Sequence, residues 1–252
     1  ARAFGVVTGR ALFAPLHGWA SGGTEQPTRA LNVAVSILPQ KYFVERVGGE
    51  HVTVNVMVLP GESPATYEPS PAQLRALSGA DAYFSIGVPF ENAWLDRITS
   101  ANDEMVMVDT TEGIERIEEG GNPDPHIWLS PSQVRIQAAT IAEALAGADP
   151  AHAEVYEANL TALLEDIDVL DAEIRETLVG VEERRFMVFH PSWQYFAQDY
   201  GLEMIAIEVG GQEPSAAELA RLIDTAKEEG IEVIFAQPEF STEAAETIAG
   251  EI

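Results

Sequence analysis

Apolar residues along this chain alternate between two periods. The run LNVAVSI, Leu31 to Ile37, is short, β-branched and almost wholly apolar, the pattern of a buried parallel strand. QKYFVERVGG follows, with Tyr42, Phe43, Val44 and Val47 on one helical stripe and Gly48-Gly49 as a stop. The same exchange repeats. VTVNVMVL, DAYFSIG and MVMVDT read as strands. PAQLRALSGA, PFENAWLDRITSA and SQVRIQAATIAEALAGA read as helices. Between them lie a loop with four prolines in twelve residues, PGESPATYEPSP, and an acidic loop over 112–122. Strand–helix alternation of this kind predicts a parallel α/β sheet.

From Asp149-Pro150 to about Val179 no Pro or Gly interrupts after the opening proline. Val155, Leu160, Leu163, Leu164, Ile167, Leu170, Ile174 and Leu178 recur at helical spacing. Roughly 30 helical residues would span ~45 Å, which suits a spine between two lobes. Alternation then restarts. RFMVFH, LEMIAIE and IEVIFAQ are strands, and PSWQYFAQDYG, SAAELARLIDTAKEEG and STEAAETIAGEI are helices. The predicted class is therefore α/β, with two lobes, each a parallel sheet flanked by helices, joined by one long helix. The organisation expected is leader or linker at 1–30, a first lobe at 31–148, the linking helix at 149–180 and a second lobe at 181–252. The last helix leads to no further strand, so the second lobe is expected to be incomplete at its C-terminal end.

Composition narrows the function classes. Forty-one Asp plus Glu against 14 Lys plus Arg give a net charge of −27, which repels nucleic-acid phosphates and anionic headgroups and attracts cations. An acidic surface of this kind also serves plain solubility. The absence of cysteine removes disulfides, thiolate metal sites and cysteine nucleophiles. No apolar run approaches the ~18 residues of a membrane span. Residues 1–30 mix Gly, Ala, Thr and Arg without a sustained period. ASGGTEQPT would read as a lipoprotein cleavage region if Gly23 were cysteine.

Ligands of open parallel sheets sit beyond the carboxyl ends of the strands. Those ends carry Glu62 to Glu68, His126 in the turn NPDPHIWLSP, His190 directly after a strand, Glu208, and Gln237-Pro238-Glu239. A histidine in such a place can be a hydrogen-bonded core residue, a base or a metal ligand. Imidazole together with carboxylate suits Zn²⁺ or Mn²⁺. A metal-dependent hydrolase is the enzymatic alternative. No H-E-x-x-H, G-x-S-x-G, P-loop or dinucleotide glycine pattern accompanies these residues.

The runs GESPATYEPSPAQLRALSGADAYFSIGVPFE, DPHIWLSP, FMVFHPSWQYFAQDYGL, IEVGGQEPS and IEVIFAQPEFS, in this order over about 31–252, resemble the periplasmic zinc/manganese solute-binding proteins of ABC importers. That resemblance implies two lobes bridged by one long helix with little hinge motion. It also implies a metal between the lobes that is handed to a membrane permease, and a monomer outside the cytoplasm, with a lipid anchor open for the native form. By the resemblance His126 and His190 match two ligand positions. Ala65 stands in GESPATYEP where the family commonly has histidine, and the aspartate expected as fourth ligand would lie beyond Ile252. Ala65 could instead mark a relative whose cleft takes another small ligand, or an adhesin-like (cell adhesion) or accessory protein. The family's histidine-rich loop is replaced by the acidic IERIEEGGNP. Glu62, Glu68, Glu208 and Glu239 are candidates to complete the shell or to orient an imidazole. Tyr67, Trp128, Trp193 and Tyr195 are expected to wall the cleft and pack the lobes.

Overall fold

A computed structural model describes residues 29–252 apart from 120, 209–211 and 237–241. All but the last two residues of the 1–30 leader, and the loop carrying Glu239, lie outside the described residues. The first sheet contains β1 (Leu31–Val35), β2 (Val52–Val56), β3 (Ala82–Ser85) and β4 (Val106–Asp109), in the order β2-β1-β3-β4. All its pairings are parallel. The connections are α1 (Leu38–Gly48), α2 (Pro71–Leu77) and α3 (Pro89–Ala101).

Alternate side chains of each strand face opposite layers. Val33, Val35 and Phe84 pack with Phe43, Val44 and Val47 of α1. Ala34 and Tyr83 point the other way, against Leu77, Phe90 and Ile98. A buried polar net closes the carboxyl ends of β1 and β3. Gln40 accepts from the Ser36 and Ile37 amides through Oε1 and donates from Nε2 to the Phe84 carbonyl. Glu91 accepts from the Ile86 and Gly87 amides and from the Ser36 hydroxyl. Burial pushes the Glu91 carboxyl above the usual carboxylate range, while these donors work the other way.

The acidic loop is not wholly irregular. Two short antiparallel strands, β5 (Glu118–Glu119) and β6 (Asn122–Pro123), interrupt it. A 3-10 turn at Ile127–Leu129 leads into α4 (Pro131–Ala148), whose cap is Ser130: its Oγ accepts from the Gln133 amide.

The linking helix is shorter than its pattern predicts. Pro150–His152 form a 3-10 turn, and α5 runs from Ala153 to Thr177, 25 residues or about 37 Å. Asp149 precedes this turn, its carbonyl accepting from the His152 amide (3.2 Å). Its carboxylate accepts from His152 Nδ1 (2.6 Å) and the Tyr156 hydroxyl (2.8 Å). Tyr156, Leu163 and Ile167 are buried against α1 and α4, with Leu160 beside them. Val155 and Leu170, which belong to the same apolar series, are exposed. Beyond Ile167 the helix has run past that core, and polar contacts take over.

The second sheet contains β7 (Arg185–Val188), β8 (Glu203–Ala206) and β9 (Ile234–Phe235), in the order β8-β7-β9 and parallel throughout. Its helices are α6 (Gln194–Tyr200), α7 (Ala216–Glu228) and α8 (Glu243–Ala249). Met187, Phe189, Ile207, Ala226, Ile231 and Ile248 form its core. Gly201 ends α6 at φ +64°, a left-handed position that any side chain would strain. Among the described residues no helix is long and apolar enough to cross a membrane.

Candidate metal centre

His126 stands in a turn that its neighbours determine. Pro125 fixes φ, and the Asp124 carboxylate accepts from the His126 amide (2.9 Å), an Asx turn. The same oxygen, Oδ1, lies 2.6 Å from His126 Nδ1. The Asp124 side chain is fully buried, and its Oδ2 has no hydrogen-bond partner among the described residues. The Asp124 carbonyl accepts from Arg116 Nε (3.0 Å) and Nη2 (2.8 Å) and from the Tyr195 hydroxyl (2.9 Å).

His190 follows β7, the central strand of the second sheet. The Glu208 amide donates to the Phe189 carbonyl (3.0 Å), which carries the end of β8 alongside. Glu208 Oε2 then lies 2.8 Å from His190 Nδ1, and its side chain is largely buried. Burial holds the His190 imidazole below the ordinary histidine range. The Glu208 carboxylate opposes this and the facing His126 ring adds to it.

The two rings meet. His126 and His190 face each other through Nε2 at 3.3 Å, with centroids 5.1 Å apart and planes at 75°. Each Nδ1 sits against a carboxylate, which accepts only, so in the neutral imidazoles the Nδ1 atoms carry the protons. Both Nε2 atoms then present lone pairs to one another. Such an arrangement attracts a cation into the gap. With Zn–N bonds of ~2.05 Å, nitrogens 3.3 Å apart subtend about 107° at the ion, close to the tetrahedral angle. Carboxylate–imidazole–metal chains of this kind fix the tautomer and raise the basicity of the ligand nitrogen.

The other carboxylates named from sequence are placed differently. Glu62 is exposed and accepts from the Leu59 amide in its own turn. Glu68 is exposed. Ala65 is exposed too, its amide donating to the Ser63 hydroxyl. Among the described residues no three His, Asp or Glu side chains form a group able to hold a metal, so the described donors are the two imidazoles. Trp128 walls the pair, its ring 5.0 Å from that of His126. Trp193 packs on Phe196, and Tyr67 on Phe90. Sequence reasoning did not single out Asp124, Arg116 or the hydrogen-bonding role of Tyr195. The Asp-Pro-His order carries the signal for Asp124, because Asp before Pro favours an Asx turn.

The sequence profile of ZnuA, the periplasmic component A of the zinc-uptake complex, matches residues 33–252. The chain belongs to the ZnuA family. A crystal structure of a ZnuA superposes with a TM-score of 0.85 at 50% identity, covering 88% of each chain. A zinc-bound deletion mutant of ZnuA does so at 0.83 and 50% identity, covering 88% of this chain and 87% of that one. Among relatives, the high-affinity zinc uptake system protein ZnuA of Paracoccus denitrificans is 31% identical over 229 residues, covering 75% of this chain and 70% of its own. The manganese-binding lipoprotein MntA of Halalkalibacterium halodurans is 29% identical over 233 residues, covering 90% and 77%. The relatives of this chain thus include proteins named for zinc and for manganese.

Proposed function

We propose that this chain is the extracytoplasmic solute-binding component of an ABC importer, and that it captures a divalent transition metal, zinc or manganese, between its two lobes. Among the described residues, His126 and His190 are the ligands, one from each lobe. Asp124 and Glu208 hold the two rings in the tautomer that offers Nε2. The lobes of this reading are 31–148 and 181–252, with 149–180 as the helix between them, and the protein acts as a monomer. A membrane permease receives the ion.

The opposed Nε2 atoms, each backed by a carboxylate on Nδ1, are the observation that carries this reading. Two imidazole nitrogens rank zinc above manganese in intrinsic affinity. The two described donors leave coordination positions for further groups. Calorimetric titration with Zn²⁺ and Mn²⁺ tests the proposal. It predicts one bound ion, lost on His126→Ala and on His190→Ala. Absence of heat with both ions, or unchanged affinity in both variants, overturns it.

A further inference from the structure

The gap between the two imidazoles depends on how the His126 turn is held against the segment that follows His190. That segment is α6, and it grips the turn at two points. At its first turn, Tyr195 is buried in the core of the first lobe, among Ile86, Ile114 and Ile127. Its hydroxyl accepts from the Ile117 amide (3.0 Å) and donates to the Asp124 carbonyl (2.9 Å). Ile117 and Asp124 are themselves joined, the Asp124 amide donating to the Ile117 carbonyl at 2.7 Å. One hydroxyl therefore closes the base of the loop from which His126 rises. At the other end of α6, Asp199 accepts from the hydroxyls of Ser130 (2.5 Å) and Ser132 (2.8 Å), at the start of α4. His126 lies between these two attachments, and His190 lies four residues before α6 begins.

We infer that Tyr195 is a positioning residue for the metal centre: it ties the second lobe to the Asp124 carbonyl and so sets the His126 ring against His190. The inference rests on the metal-binding reading proposed above and adds to it the group that fixes the ligand spacing. A phenol suits this role because one oxygen both accepts and donates, and its aromatic body anchors it in apolar surroundings. The Asp124 carbonyl is also held by Arg116, but Arg116 belongs to the first lobe and transmits nothing across the cleft. Within the cleft, Tyr195 spans both sides.

Tyr195→Phe removes the hydroxyl and keeps the ring. The test measures Zn²⁺ affinity by competition with a chelating dye, together with amide hydrogen exchange in the metal-free protein. The variant is expected to bind Zn²⁺ about tenfold more weakly, the lower end of what loss of an orienting partner costs. The amides of Ile117, Asp124 and His126 are expected to exchange faster, with those of β1 and β3 unchanged. Asp199→Asn is the second variant, expected to weaken Zn²⁺ binding in the same direction with faster exchange at the start of α4. Affinity of Tyr195→Phe within twofold of the parent protein overturns the inference, whatever Asp199→Asn does. So does weaker binding of Tyr195→Phe with the 117–126 amides as protected as before, since the effect would then not pass through the loop. Absence of Zn²⁺ binding by the parent chain is a different failure, because it removes the metal-binding reading itself and this inference with it.

Discussion

Glu208 offers a sharp test of how the centre is built, because it touches His190 without being placed as a ligand. In the structure its carboxylate lies 2.8 Å from His190 Nδ1 and is almost out of contact with solvent. Glu208→Gln keeps the shape and one oxygen acceptor but removes the charge. Charge-assisted hydrogen bonds are roughly twice as strong as neutral ones, so the imidazole loses about 1 kcal/mol of orientation and basicity, or about five- to tenfold in metal affinity. Glu208→Ala removes the acceptor as well and lets the ring choose its tautomer, which should cost about 10- to 100-fold. Zn²⁺ competition titrations at fixed pH, with metal-free melting curves as a control for folding, give both numbers. Affinity falling in the order parent, Gln, Ala, with little change in the metal-free melting point, is the expected result. Equal affinity in all three proteins would refute the reasoning that a carboxylate on Nδ1 tunes this histidine.

Three further outcomes follow from the framework around the site. Leu163 is buried between α5, α1 and α4, so Leu163→Ala should cost about 3 kcal/mol, read as a lower urea midpoint; a loss under about 1 kcal/mol would mean that α5 is not seated in that core. Asp171 accepts from Arg175 and from the Tyr200 hydroxyl, which hold its carboxyl below the ordinary range while burial opposes them. A depressed folded value means stability that is complete above the unfolded value of about 3.9 and is lost as pH falls through the folded one, so Asp171→Asn should flatten the acid limb of urea midpoints below about pH 4 and leave the dependence above pH 5 unchanged. A net charge of −27 strains the folded state by self-repulsion, so the melting temperature should rise as KCl goes from low to near-molar concentration; a fall would show that attractive ion pairs outweigh the repulsion.

Much of the scaffold was legible because its strands are short apolar runs punctuated by Gly and Pro. The sequence patterns place every strand of both sheets and every helix between them within a few residues. The hairpin at Glu118–Pro123 was not legible. Its residues are charged or turn-forming, with no alternation to mark pairing, and backbone hydrogen bonds alone define it. The opening of the linking helix was not legible, because periodicity cannot see side chains bonding one another across the first turns. Asp149 bonds His152 and Tyr156, and Pro150 opens a tight turn before regular helix begins.

At the candidate site, strand-end position singled out the two histidines and Glu208, and the family resemblance matched the histidines to ligand positions. Glu62 and Glu68 were named on the same grounds, but they sit exposed on their proline-rich loop, Glu62 accepting from the Leu59 amide. Strand-end position narrows the candidates without saying which way a carboxylate turns. Asp124 and Tyr195 were hidden for opposite reasons. Asp124 acts through a turn two residues long. Tyr195 acts across 71 positions of sequence, a contact that only the folded chain brings about. Its aromatic ring reads as packing, and its hydroxyl is what matters.

The central claim is that His126 and His190 hold one ion between them. Crystals of the chain grown with one equivalent of Zn²⁺, measured on both sides of the zinc absorption edge, test it most directly. The account predicts a single strong anomalous peak lying ~2.1 Å from Nε2 of each ring. A peak bonded to only one of the two histidines, or to neither, would contradict it.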